Sequence, residues 1–68
     1  MKEWETVFKT ETVYRAEIVK GVLHDNDINS IIVNKKDSNY HFGHFEVTVP
    51  RASIIKAIKI IRDEIRFE

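Results

Sequence analysis

The sequence contains no cysteine, a single proline and only two glycines among its 68 residues. Without cysteine the chain can form neither a disulfide framework nor a thiolate zinc site. A domain of this size without such cross-links must rely on its apolar core or on association with other copies. Lys plus Arg and Asp plus Glu number 11 each, whereas proteins that bind the phosphate backbone usually carry a positive excess. This balance argues against nucleic acid as a partner.

Long hydrophobic runs are also missing. No apolar stretch approaches the roughly 20 residues that a membrane-spanning helix needs. The N-terminal segment MKEWETVFK has acidic residues where a signal peptide would be apolar. We therefore expect one cytoplasmic domain covering residues 1–68, with no membrane partner.

The apolar pattern predicts three strands and two helices. The predicted elements are, in chain order, a strand (3–9), a helix (11–24), a strand (28–34), a loop (35–43), a strand (44–50) and a helix (51–68). The first helix has an apolar side at helical spacing, formed by Val13, Ala16, Val19 and Leu23. Within it, Gly21 would allow close packing on a strand, and Asn26 would take the left-handed position after its end. The last helix has a predicted core stripe formed by Ile54, Ala57, Ile58, Ile61 and Ile65.

This order predicts an α+β, ferredoxin-like β-α-β-β-α two-layer half-sandwich. A right-handed crossover makes the first two strands parallel and leaves room between them for the third strand, antiparallel to both. Both helices then cover one face of the three-stranded sheet. Trp4 and Phe8 have one parity in the first strand and Val7 has the other, so some large apolar groups should stay on the uncovered face. Our candidates for an interface there are Trp4, Phe8, Ile32 and Tyr40.

Three kinds of chemistry find little support in the sequence. His41 and His44 form an H-x-x-H pair, but a metal site needs three or four ligands. No serine lies in a glycine elbow, and no glycine-rich phosphate loop occurs. The stretch FGHFEVTV faintly resembles the basic-aromatic strand of RNA-recognition modules, but Glu46 and the zero net charge argue against it. We therefore expect no catalytic residue, no metal and no cofactor.

The predicted loop offers a different possibility. Lys35, Lys36 and His41 could hold a small anion beside the sheet, and Asp37 and Ser38 could fix the loop by local hydrogen bonds. A loop of about nine residues is longer than most hairpin connections, and binding residues favour loops on a rigid scaffold.

Several motifs resemble a known family. The stretches VFKT, AEIVKGVL, NKKDS and FGHFEVTVP occur in this order along the chain. In these motifs the chain resembles the prokaryotic signal-transducing proteins. This is a family of small bacterial domains of unknown function that are placed near the PII-like, ferredoxin-related folds. The resemblance covers Thr6 to Leu23, Asn34 to Ser38 and Phe42 to Pro50. It implies the fold given above and a signalling role, and it carries no catalytic residues.

Our expectation is a non-enzymatic cytoplasmic signalling or interaction module. It would self-associate or dock a protein partner through the uncovered sheet face. The alternative is an effector domain that binds a small anionic ligand with the 35–43 loop.

Overall fold

The described residues form three strands and two helices in the predicted order. The structure is a computed structural model that describes residues 3–37 and 42–65, without the side chains at positions 36, 37 and 42. Its elements are β1 (Trp4–Thr10), α1 (Val13–Asp25), β2 (Ile31–Asp37), β3 (Phe42–Pro50), a 3₁₀ turn (Arg51–Ser53) and α2 (Ile54–Glu64). Neither helix of the described part has the length and apolar character needed to cross a membrane.

The sheet has the order β1-β3-β2, with β3 antiparallel to both neighbours. This confirms the α+β class and the central position of β3. No fourth strand is found among the described residues. Both helices contact β1 and β3, and they contact each other.

The connection between β2 and β3 is shorter than predicted. Because β2 continues to Asp37 and β3 begins at Phe42, it spans only residues 38–41. Lys35 pairs with His44 and Lys36 with Gly43, so the predicted 35–43 loop is wrong at both ends. Lysine and aspartate are poor strand formers, but here pairing with β3 overrides their propensity.

A β-bulge at Val7 changes the direction of the first strand's side chains. Thr6 pairs with Thr48 and Phe8 pairs with Val47, so Val7 is the extra residue on β1. The extra residue reverses the alternation, because side chains of a regular strand change face at every step. Trp4 and Phe8 therefore lie on opposite faces, although they share a parity in the sequence. Val7 and Phe8 both pack against the core.

The core lies between the sheet and the two helices. Eight apolar side chains of the described residues are buried there: Ala16, Val19 and Leu23 of α1, Ile28 before β2, Val47 and Val49 of β3, and Ala57 and Ile60 of α2. Val13, predicted to belong to this set, is 49% exposed. No aromatic side chain is among the eight, so this is a small core for a chain without cross-links.

The buried side of α2 differs from the predicted stripe. Ile60 is 8% exposed and buried, whereas Ile58 is 47% exposed. At 100° per residue the sheet-facing side therefore centres on Ala57 rather than on Ile54 and Ile58. Isoleucines occur on several sides of this helix, so their pattern alone does not decide its rotation. The small side chain of Ala57 is fully buried and lies at the centre of this side.

The end of α1 is a Schellman motif. The backbone N–H of Ile28 donates to the carbonyl oxygen of Leu23 at 2.9 Å, and that of Asp27 donates to His24 at 3.0 Å. Asp27 has the left-handed conformation, with φ of 63°, so the prediction of Asn26 for this position was off by one residue. Asn26 instead donates its side-chain amide to the carbonyl of Val22 at 2.9 Å.

Gly21 does not serve close packing. It is exposed, and a methyl group added to it would meet nothing within 4 Å. The predicted role for this glycine is therefore wrong.

Candidate interaction face

The sheet side turned away from the helices is called the open face. Directly paired residues of neighbouring strands point to the same side, so the pairing with β3 defines its members. They are Trp4, Thr6 and Lys9 of β1, Ile31, Val33 and Lys35 of β2, and His44, Glu46, Thr48 and Pro50 of β3. The Thr6 hydroxyl donates to Glu46 at 2.8 Å, which places both side chains on this side.

One end of the open face is mostly apolar. Ile31 is 42% exposed, and it lies directly opposite Thr48. Trp4 and Pro50 form the next pair along the sheet, and both are half-buried. Val33, also half-buried, borders this group. Ile31 and Trp4 lie on the two outer strands with β3 between them. Together they can anchor a protein partner, because tryptophan is among the residues that contribute most to interfaces.

A hydrogen-bonded group of side chains occupies the middle of the face. Glu46 accepts from Thr6 with one carboxylate oxygen, and its other oxygen is 2.7 Å from Nε2 of His44. The Glu46 side chain is only 14% exposed, while that of His44 is 41% exposed. Because a carboxylate only accepts hydrogen bonds, Nε2 of His44 carries the proton in this arrangement.

The environment of Glu46 favours its charged form. The hydrogen bond with His44, then that from Thr6, lowers the pKa of Glu46 below its ordinary value, and the charges of Lys35 and His44 act in the same direction. Partial burial opposes these effects but does not outweigh them. Glu46 is therefore a carboxylate at neutral pH and holds the side chains around it in a fixed arrangement.

Positive charge surrounds this carboxylate. Lys9 pairs directly with Glu46 from β1, and Lys35 pairs with His44 from β2. A shallow depression lined by Lys9, Thr10, Glu11 and His44 lies at this end. Its basic groups can attract an anion, but Glu11 and the nearby Glu46 counter that attraction.

The structure places only some of the sequence-predicted candidates on the open face. Trp4 and Lys35 lie on it. Phe8 and Ile32 pack against the core from the helix side, so their predicted placement is corrected. For Phe8 the reason is the bulge, and Ile32 pairs with the fully buried Val47.

The remaining candidates fall in the less described part of the chain. Lys36 and Asp37 are described by their backbone only, as members of β2. Ser38, Tyr40 and His41 lie outside the described residues. No three His, Asp or Glu side chains converge in the described ranges 3–37 and 42–65, and His44 contacts Glu46.

Sequence reasoning missed the Thr6–Glu46–His44 group. One signal was present, because His44, Glu46 and Thr48 alternate with apolar residues in HFEVTV and must share a face. Thr6 could not be added from the sequence, because its contact with Glu46 spans 40 positions and depends on the bulge.

Comparisons with family models, with curated proteins and with solved structures gave no match. The resemblance to the prokaryotic signal-transducing proteins therefore stays a prediction.

Proposed function

We propose that this chain is a non-enzymatic signalling or interaction module that self-associates through its open face. The observation that carries the proposal is the apolar end of the open face, where Ile31 of β2 is exposed and Trp4 of β1 is half-buried, on a sheet side that no described element covers. A two-layer fold with one uncovered layer gains stability when a second copy buries these groups. The proposal includes a ferredoxin-like fold and a cytoplasmic location for the protein.

The polar side chains in the middle of the face fit such a role. A buried polar group weakens an interface only when it loses its partners. Glu46 already accepts hydrogen bonds from Thr6 and His44 within its own chain. A second copy can therefore cover this group without leaving the carboxylate unpaired.

The dimensions of the face set the expected strength of the association. Three strands about 4.8 Å apart and about seven residues long give a patch of about 14 Å by 23 Å. Side chains that project from the sheet add to this area. Even so, the total area that two such patches bury falls near the lower limit of about 1,000 Å² for specific interfaces. We therefore expect a reversible dimer that forms at micromolar or higher concentration.

Size-exclusion chromatography with light scattering tests this proposal. We compare wild type with Ile31→Glu on the open face and with Ile55→Glu, which alters an 84% exposed isoleucine on α2. The first substitution buries a charge in the interface, so it should weaken the dimer at least about tenfold, or about 1.4 kcal/mol. The second should leave it unchanged. A wild type that is monomeric at about millimolar concentration, with both variants folded, contradicts self-association.

A small anionic ligand is the second candidate function. Its support is the depression that Lys9 and His44 line together with Thr10 and Glu11. A thermal-shift screen with inorganic phosphate, nucleotides and carboxylates tests it. A ligand at a hundredfold over its Kd adds about 2.7 kcal/mol, which shifts the Tm of a domain this small by about 10–20 °C. A screen without any shift eliminates this candidate.

A further inference from the structure

The charge of the chain is unevenly distributed, although its sum is zero. The segment 51–62, RASIIKAIKIIR, contains four basic residues and no acidic one. The segment 3–27 contains six acidic residues against three basic ones. All of α2 except its last two residues, Asp63 and Glu64, lies in the basic segment, so the first part of the helix carries a local positive field that the net charge conceals.

Much of this positive charge lies on the outward side of α2. Ile55, Ile58, Lys59 and Arg62 follow the spacing i, i+3, i+4, i+7 and so form one side of the helix. We call these four residues the outer stripe. Ile55 is 84% exposed and Ile58 is 47% exposed. Lys56 is also exposed and borders the stripe.

The basic groups of α2 differ in their contacts. Arg62 lies 3.4 Å from Asp63, its neighbour in the chain. Lys56 and Lys59 have no ion pair with any carboxylate of the described residues. Two exposed ammonium groups next to the isoleucines can therefore pair with an incoming anion at little cost.

Folding does not explain the isoleucines of the outer stripe. Their helix propensity is lower than that of Lys, Glu or Ala, and side chains turned to water add little to the core. Ile54, Ile60 and Ile61 already supply the helix's contacts with the core. Two outward isoleucines flanked by basic residues instead match what a partner of opposite charge requires.

We infer that the outer stripe of α2 docks an acidic amphipathic helix of another protein. The apolar side of that helix packs on Ile55 and Ile58, and its carboxylates pair with Lys56 and Lys59. The outer stripes of two copies do not fit each other, because they would bring like charges together. The inference is independent of self-association through the open face, which lies on the other side of the sheet.

A lipid surface fits this site less well than an acidic helix. A helix that binds a bilayer needs a broad apolar side that enters the lipid by about 5–10 Å. The broad apolar side of α2 is occupied by the core. Two isoleucines and no aromatic residue remain on the outer stripe.

Fluorescence anisotropy with a labelled peptide tests the inference. The probe is a designed acidic helix with leucines at i, i+3, i+4 and i+7 and glutamates elsewhere, and its counterpart carries lysines in place of the glutamates. The wild type should bind the acidic peptide at least about tenfold more tightly than the basic one, and raising the salt should weaken binding. Amide chemical shifts of the ¹⁵N-labelled protein should change mainly on α2.

Matched variants distinguish the contribution of the outer stripe to binding from the effect of the protein's net charge. Lys56→Glu with Lys59→Glu should weaken binding at least about tenfold, or about 1.4 kcal/mol. Arg15→Glu with Lys20→Glu, both on α1 and outside the open face, makes the same change in net charge elsewhere and should weaken binding less than about threefold. Ile55→Ala should weaken binding severalfold without changing its salt dependence.

Four results overturn the inference: no binding at about millimolar peptide, equal losses in the two double variants, shift changes confined to the sheet, or binding to anionic vesicles in preference to the peptide. Circular dichroism shows whether each variant is folded. Because Ile31 is unchanged in every variant, failure here leaves the proposed self-association standing.

Discussion

Deletion of Val7 should be tolerated, because the bulge already separates two stretches of regular pairing. In the structure Thr6 pairs with Thr48 and Phe8 with Val47. Removing the residue between them leaves both pairs in register and turns the bulged strand into a regular one. Every other side chain of β1 keeps its face, including Trp4 on the open face and Phe8 against the core.

The expected cost follows from the burial of Val7. Full burial of a valine side chain contributes about 1.5–3 kcal/mol, and Val7 is half-buried against the core. Its loss should therefore lower the free energy of unfolding by about 1 kcal/mol. For a chain of this length the total is about 3–10 kcal/mol, so the variant should remain folded.

Deletion of Thr48 is the matched control, because β3 has no bulge. Losing one residue there moves one part of the strand by one place and turns its side chains to the other face. Either Val47 or Val49, both fully buried, must then leave the core. This loss should exceed about 3 kcal/mol, since a fully buried valine leaves the core and either Glu46 or Pro50 takes its place.

Urea unfolding measures both effects. Fluorescence of the single tryptophan and far-UV circular dichroism report the transition. The Val7 deletion should lower the midpoint modestly with an unchanged m-value, and the Thr48 deletion should leave little folded protein. If the two deletions are equally damaging, the assignment of the bulge is wrong.

Three further predictions concern single substitutions. Ile60→Ala should cost about 2–4 kcal/mol of stability, and Ile58→Ala less than about 1 kcal/mol, because only the first empties a core position; equal losses in urea unfolding would place the buried side of α2 elsewhere. Gly21→Ala should raise the free energy of unfolding by about 0.5–1 kcal/mol, because the site is helical, exposed and free of contacts; a lower Tm would contradict this. The lowered pKa of Glu46 stabilises the fold above its ordinary value of 4.5, and this contribution is lost as the pH falls through the lower folded-state value. Glu46→Gln should therefore reduce the loss of stability between about pH 5 and pH 3, and parallel unfolding curves for variant and wild type would argue against the role of this carboxylate.

The sequence was sufficient for the order of elements and for the central place of β3. Alternation in HFEVTVP identified that strand, and the handedness of crossover connections left one simple position for it. Ala16, Val19 and Leu23 were found because α1 has one narrow apolar side. Local patterns of this kind depend on few neighbours, so they can be read without the tertiary structure.

The errors have separate physical causes. The bulge at Val7 reverses the faces of β1, but its only local trace is two adjacent apolar residues, which also occur in regular strands. The rotation of α2 depends on its packing against the sheet and α1, which helical periodicity does not contain. The Thr6–Glu46 contact needs both the bulge and the pairing of β1 with β3. The open face was therefore foreseeable as a surface, whereas its polar centre was not.

The order of the strands also affects how the chain folds during synthesis. β1 and β2 each pair with β3 alone, and β3 is the last of the described strands to be made. At about 5–20 residues per second, the ribosome takes about one to three seconds to proceed from Asp37 to Pro50. During this interval two strands have been made that cannot pair with each other in the native way. β2, with its apolar residues Ile31, Ile32 and Val33, therefore has no native partner strand until β3 has been made, and the sheet can form only afterwards.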